Sequence, residues 1–125
     1  MTDWSAVLWG FVVGIVAGLL AFVIPVVGHV GAGLIAGFVA GYLAGGGFRS
    51  GAWHGLLAGA LDGLVIVVLI VPIAGLIGGV TVGPVGGLLG GLGVFVVGIV
   101  IAFVFAIDSA LGGLVGALVS PNDDR

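Results

Sequence analysis

Residues 33–45 read Gly33-Leu34-Ile35-Ala36-Gly37-Phe38-Val39-Ala40-Gly41-Tyr42-Leu43-Ala44-Gly45, a glycine at every fourth position with apolar residues and one tyrosine between. An α-helix turns once in about 3.6 residues, so this spacing lines the glycines along one helical face. The same spacing comes before it in Gly10, Gly14 and Gly18, and after it in Gly51, Gly55, Gly59 and Gly63. A looser version follows in Gly79, Gly83, Gly87 and Gly91, and again in Gly112 and Gly116. A face without side chains lets two helix backbones approach closely, which matters most in lipid, where no hydrophobic push exists between helices. Each ladder therefore predicts a helix-packing face, within the chain or between copies of it.

The rest of the composition sets the medium. Hydrophobic residues make up 62% of the chain and charged residues 6%, against about a quarter charged in an ordinary soluble domain. The charges are Asp3, Arg49, Asp62, Asp108, Asp123, Asp124 and Arg125, which leaves 4–48 and 63–107 uncharged. Such a list cannot make a water-facing surface. A membrane span takes about 20 apolar residues, so 125 residues accommodate about four spans and no separate aqueous domain. The 28 glycines do not signal disorder, because they sit among Leu, Val, Ile, Ala and Phe and disorder requires low hydrophobicity. Cysteine is absent, which excludes disulfides and thiolate metal sites. With two basic residues and a formal charge of -3, the chain has no basic surface for nucleic acid. The flank Thr2-Asp3 is not the basic region of a secretory signal, so the first apolar run reads as a retained span.

These features predict an all-α fold: a single polytopic transmembrane helical bundle of about four spans packed through glycine ladders. The spans expected are 4–24, 30–45, 52–80 with a kink at Pro72, and 85–119. Pro25 closes the first, and Gly45-Gly46-Gly47 breaks the chain before Phe48-Arg49-Ser50. A second arrangement makes 73–92 a re-entrant hairpin and 93–119 the last span. The first is preferred, because lipid-exposed irregular backbone is not tolerated. Four spans put both termini and Arg49 on one side. Arg49 and Arg125, with Trp4, Tyr42 and Trp53 at headgroup level, place that side in the cytoplasm of a multi-pass cell-membrane protein. Phe11-Val12-Val13-Gly14-Ile15-Val16 recurs identically at 95–100, which a duplicated hairpin or the restricted composition would each explain.

The arrangement Pro25-Val26-Val27-Gly28, the ladder from Gly33 to Gly46, and Gly51-Ala52-Trp53-His54-Gly55-Leu56-Leu57-Ala58-Gly59 resembles a family of small haloarchaeal membrane proteins classed only as a domain of unknown function. Ser109-Ala110-Leu111-Gly112-Gly113-Leu114-Val115-Gly116-Ala117 fits its closing signature. The resemblance covers about 14–119 and implies an archaeal cell membrane and four spans. It brings no activity and no catalytic residue. Where that family's second loop carries acidic residues, this chain has Gly47-Phe48-Arg49-Ser50.

Reactive side chains are few. His29 and His54 are expected at opposite ends of their spans, about a membrane thickness apart, too far to share a metal or a triad. Gly45-Gly46-Gly47 lacks the lysine of a phosphate loop. No enzyme activity and no cofactor are expected. The exceptions are Asp62, about 15 Å into its span by helical rise, and Asp108, about 18 Å from the end of the last span or else interfacial. An intramembrane carboxylate is a functional candidate by default; the alternative is a protonated Asp62 bonded to a carbonyl, Ser109 or Asp108, fixing helix register. Two functions follow: a structural or accessory membrane protein acting through glycine packing and self-association as a homo-oligomer in the lipid bilayer, or a small oligomeric channel or transporter with Asp62 handling protons or cations.

Overall fold

Turn residues set the helix ends. The computed structural model describes residues 1–121, and for 25–27 the backbone alone. It contains four α-helices: α1 (Trp4–Ala21), α2 (Pro25–Ala44), α3 (Gly47–Val82) and α4 (Pro84–Leu118). The Asp3 carboxylate accepts from the Ser5 and Ala6 amides and so starts α1. Pro25 and Pro84 each stand in the first turns of their helices, where the missing N–H costs nothing. Gly45, Gly46 and Gly47 all have positive φ, and Gly83, at φ 87°, ends α3 and begins α4. A side chain at these positions would clash with its own backbone.

α1, α3 and α4 are long and apolar enough to cross a membrane, and α2 is a shorter apolar helix. The chain is thus an all-α membrane bundle. α2 begins at Pro25 instead of near residue 30, because proline is preorganised for a first helical turn. α3 begins at Gly47 instead of near 52, since nothing after Gly47 breaks the helix. α3 also continues unbroken through Pro72. Residues 73–92 are therefore the end of α3 and the start of α4, meeting at Gly83.

The helices differ in length, and this gives the molecule a step. At about 1.5 Å per residue, α1 and α2, of 18 and 20 residues, reach about 27 and 30 Å. α3 and α4, of 36 and 35 residues, reach about 54 and 53 Å. α3 and α4 pair along their whole length, α2 lies on both, and α1 lies on α2 and α3 but does not touch α4 among the described residues. α1 starts beside His54 and passes Asp62 at Gly14, so the α1–α2 turn falls near Val67. No residue from 68 to 105 is buried.

In the four-helix half the backbones touch at small residues. A Cβ added to Gly37 would strike the Ser109 carbonyl, one on Gly41 the Gly113 carbonyl, and one on Gly112 or Gly116 the Leu34 or Phe38 carbonyl of α2. Gly51 and Gly55 of α3 meet Gly113 and Ser109 in the same way, and Gly63 meets Ala102. Gly10 of α1 lies against Ala36 and Ala40 of α2. Gly18 has no neighbour within 4 Å, and Gly33 is only in ordinary contact distance of Asp108 and Phe105. The buried apolar side chains are accordingly small: all ten among the described residues are alanine or valine, among them Ala6, Val7, Ala36, Ala40, Ala58, Ala106 and Ala117.

Candidate functional site

Polar chemistry collects at one end of the bundle. The His54 ring, 3% exposed, is held from two sides: its Nδ1 is 2.7 Å from the Ser50 carbonyl and its Nε2 is 2.8 Å from the Asp3 amide nitrogen. A carbonyl only accepts and an amide N–H only donates. Nδ1 therefore carries the proton and Nε2 the lone pair, which fixes a neutral imidazole of one tautomer. Beside it the Trp53 indole donates to the Thr2 hydroxyl at 3.1 Å, and the Ser120 hydroxyl donates to the Tyr42 carbonyl at 2.7 Å. The start of α1, the α2–α3 turn and the end of α4 thus lie at the same end.

The Asp3 carboxyl is held below the ordinary carboxylate range, first by the Ser5 hydroxyl at 2.8 Å and then by the Ala6 amide. Around these groups, Met1, Thr2, Arg49, Ser50 and Trp53 border a cleft of about 610 Å³. From the sequence, His54 is expected only at one end of its span. Its spacing of four from Ser50 was the local signal for the ring-to-carbonyl bond, whereas nothing local pairs residue 54 with residue 3.

Asp62 lies deeper, on the side of α3 that faces α1. Its Oδ2 occupies the space that a side chain at Gly14 would need, and its Oδ1 is buried without a hydrogen-bond partner. The Ser109 hydroxyl is also buried and unpartnered. Asp108 is half-buried and turns toward Gly33 of α2. No hydrogen bond among the described residues joins Asp62 to Asp108 or to Ser109: Asp62 meets α1, Asp108 meets α2, and Ser109 lies against Gly37 of α2 and Gly55 and Gly59 of α3. His29 lies toward the far end of the α1–α2 pair, edge-on to Phe22 with centroids 5.7 Å apart and stacked on Phe105 at 6.3 Å. Among the described residues no three His, Cys, Asp or Glu side chains stand close enough to hold one metal ion.

Beyond Phe105 the seat that α2 occupies between α3 and α4 runs on as an apolar groove of about 290 Å³. Ile66, Val67 and Ile70 form one wall and Val94, Val97 and Ile101 the other, with Gly93 and Gly98 in its lining.

The sequence matches the family of unknown function DUF5518 over residues 4–119. No curated protein and no solved structure is significantly similar to it.

Proposed function

We propose, for a chain that belongs to the DUF5518 family of unknown function, a structural or accessory role in the cell membrane, exerted through glycine-mediated helix packing and self-association, without enzyme activity. One observation carries this reading: the interior of the four-helix half is spent on backbone contact, from Gly37 against Ser109 to Gly51 against Gly113. A protein that does chemistry or conducts ions keeps convergent polar groups in its interior. Here the interior side chains are mostly Ala, Val and Gly. A haloarchaeal cell membrane is the setting that the family resemblance implies.

A second reading has its own observation. The buried, unpartnered Oδ1 of Asp62 is the feature expected of a proton or cation site in a small channel or transporter. Flux in proteoliposomes separates the two. The structural reading expects no flux of protons, sodium or potassium through wild-type protein, and normal folding and assembly size for Asp62→Asn. A wild-type flux that Asp62→Asn abolishes, with assembly size unchanged, replaces it with the transport reading.

A further inference from the structure

We propose that the exposed half of the α3–α4 hairpin is the docking surface for the α1–α2 pair of a second copy of this chain, lying inverted beside the first, so that two stepped protomers close into one block. The inference rests on the self-association reading and gives it a geometry.

The first argument is continuity. α2 sits on α4 through Gly33, Gly37 and Gly41 and also lies on α3, and the groove it fills does not end where α2 ends. Phe105 belongs to both parts, stacking on His29 of α2 and lining the empty groove beyond. The surface that seats one α2 is prolonged for about 20 Å, the rise of the residues from Val68 to Val82, beyond the reach of the protomer's own α1 and α2.

The second argument is the medium. A hydrocarbon core is about 30 Å thick, close to the length of α1 and α2 but far short of α3 and α4. If the core encloses only the four-helix half, the hairpin end stands in water. That end has no polar face: Leu76, Ile77, Val80, Val82, Val85, Leu88 and Leu89 are all exposed, and its one hydroxyl, on exposed Thr81, donates back to the Ile77 carbonyl of the same helix at 2.8 Å. If instead the tilted hairpin spans the whole bilayer, the turn at Phe22-Val23-Ile24 ends inside it. That turn is irregular backbone, with Val23 82% exposed, and irregular backbone at membrane depth is tolerated only when covered by protein. Lipid remedies neither placement fully.

The third argument is closure. A copy of the same orientation puts step beside step and turn beside turn. Turning one copy over sets its α1–α2 pair, about 27 to 30 Å long, into the other's step of about 20 to 25 Å, and the exchange is mutual, as a two-fold interface requires. Orientation is governed by Lys and Arg in short loops, and this chain has two arginines and no lysine. That preference is weak enough for assembly to overcome, so the inference replaces the expectation that every copy keeps both termini in the cytoplasm.

The absence of native cysteine gives a clean background for the test on the full chain. A cysteine at exposed Phe48 marks the charged end. An impermeant thiol reagent should modify about half of Phe48→Cys in intact cells and the remainder only once they are opened, as a two-fold inverted pair demands. Separately, Leu8→Cys or Val12→Cys is combined with Ile73→Cys or Leu76→Cys, four double variants of exposed positions. Within one protomer Ile73 lies about 16 Å beyond the level of Asp62, whereas a disulfide needs Cα atoms within about 7 Å. At least one double variant should give an oxidised dimer that neither of its single variants gives. Labelling from one side only, or no such dimer, overturns the inverted pairing. If the protein is also monomeric by mass in detergent and in membranes, the self-association reading falls with it; a dimer or larger assembly with one-sided labelling leaves that reading standing.

Discussion

The two halves of the α3–α4 hairpin are built from the same residues and end differently. Near the chain termini, Gly51, Gly55 and Gly59 of α3 and Gly112, Gly113 and Gly116 of α4 lie under other backbones, and the residues around them are buried. Near Gly83, the hairpin is closed just as tightly, Gly78 on Gly86 and Gly90 on Ala74, yet nothing there is buried. Glycine spacing thus brings two helices together but does not complete an interior. Completion takes a third and a fourth helix, and α1 and α2 are long enough for only half of the hairpin.

Breaking the covered half should have the largest effect. In Gly37→Leu the new side chain must enter the Ser109 carbonyl, a backbone atom that cannot swing aside. Overpacking of this kind costs about 3 kcal/mol or more, so the thermal transition of the purified protein should fall steeply or vanish. A variant that melts like wild type would show that the contact between α2 and α4 is not what holds the bundle. Gly47 is not the mild control that its loop position suggests. It has no neighbour within 4 Å, but at φ 78° any side chain carries about 1–2 kcal/mol of backbone strain.

The ladders were legible in the sequence because a fixed spacing on a helix means a face, whatever the tertiary context. The helix count was legible too, since Pro25, the glycine cluster at 45–47 and Gly83-Pro84 punctuate an otherwise uniform chain. The step was not. From residue 63 to 107 there is no charge and no polar stripe, so no pattern distinguishes the part of the hairpin that α1 and α2 cover from the part they leave open. Asp62 stood out as a charge in an apolar run, but its neighbour Gly14 lies on another helix and left no local trace. His54 was legible only as a residue at the end of its span, between Trp53 and Gly55.

The clasp at His54 permits a test of intermediate size, because it fastens the start of α1 to the covered half. His54→Ala removes the acceptor of the Asp3 amide and the donor to the Ser50 carbonyl. Two net hydrogen bonds and the exposure of partly buried groups amount to about 1–3 kcal/mol. The loss should be local: faster hydrogen exchange at the amides of residues 3–6, altered Trp4 and Trp53 fluorescence, and a smaller drop in the thermal transition than Gly37→Leu gives. Unchanged exchange at those amides would mean that α1 is held by its glycine contacts alone and that the polar end adds nothing to its docking.

The smallest effect on the isolated bundle is expected from Gly93→Leu, and it sharpens the contrast between the halves most. Gly93 has no atom within 4 Å of where its Cβ would be and an ordinary helical φ, so leucine meets no obstacle. Replacing a mid-helix glycine by a good helix former favours the helix by about 1 kcal/mol, and the thermal transition of the monomer should stay level or rise slightly. Gly93 also lines the empty groove, where an isobutyl group would occupy the seat proposed for a partner's helix. Association should therefore weaken while the fold does not, read as a shift toward monomer in cross-linking or mass measured across a dilution series. Gly37→Leu cannot give this separation, because it damages fold and assembly together. If Gly93→Leu lowers the thermal transition as far as Gly37→Leu does, the distal half is packed within the protomer after all, and the difference between the two halves disappears.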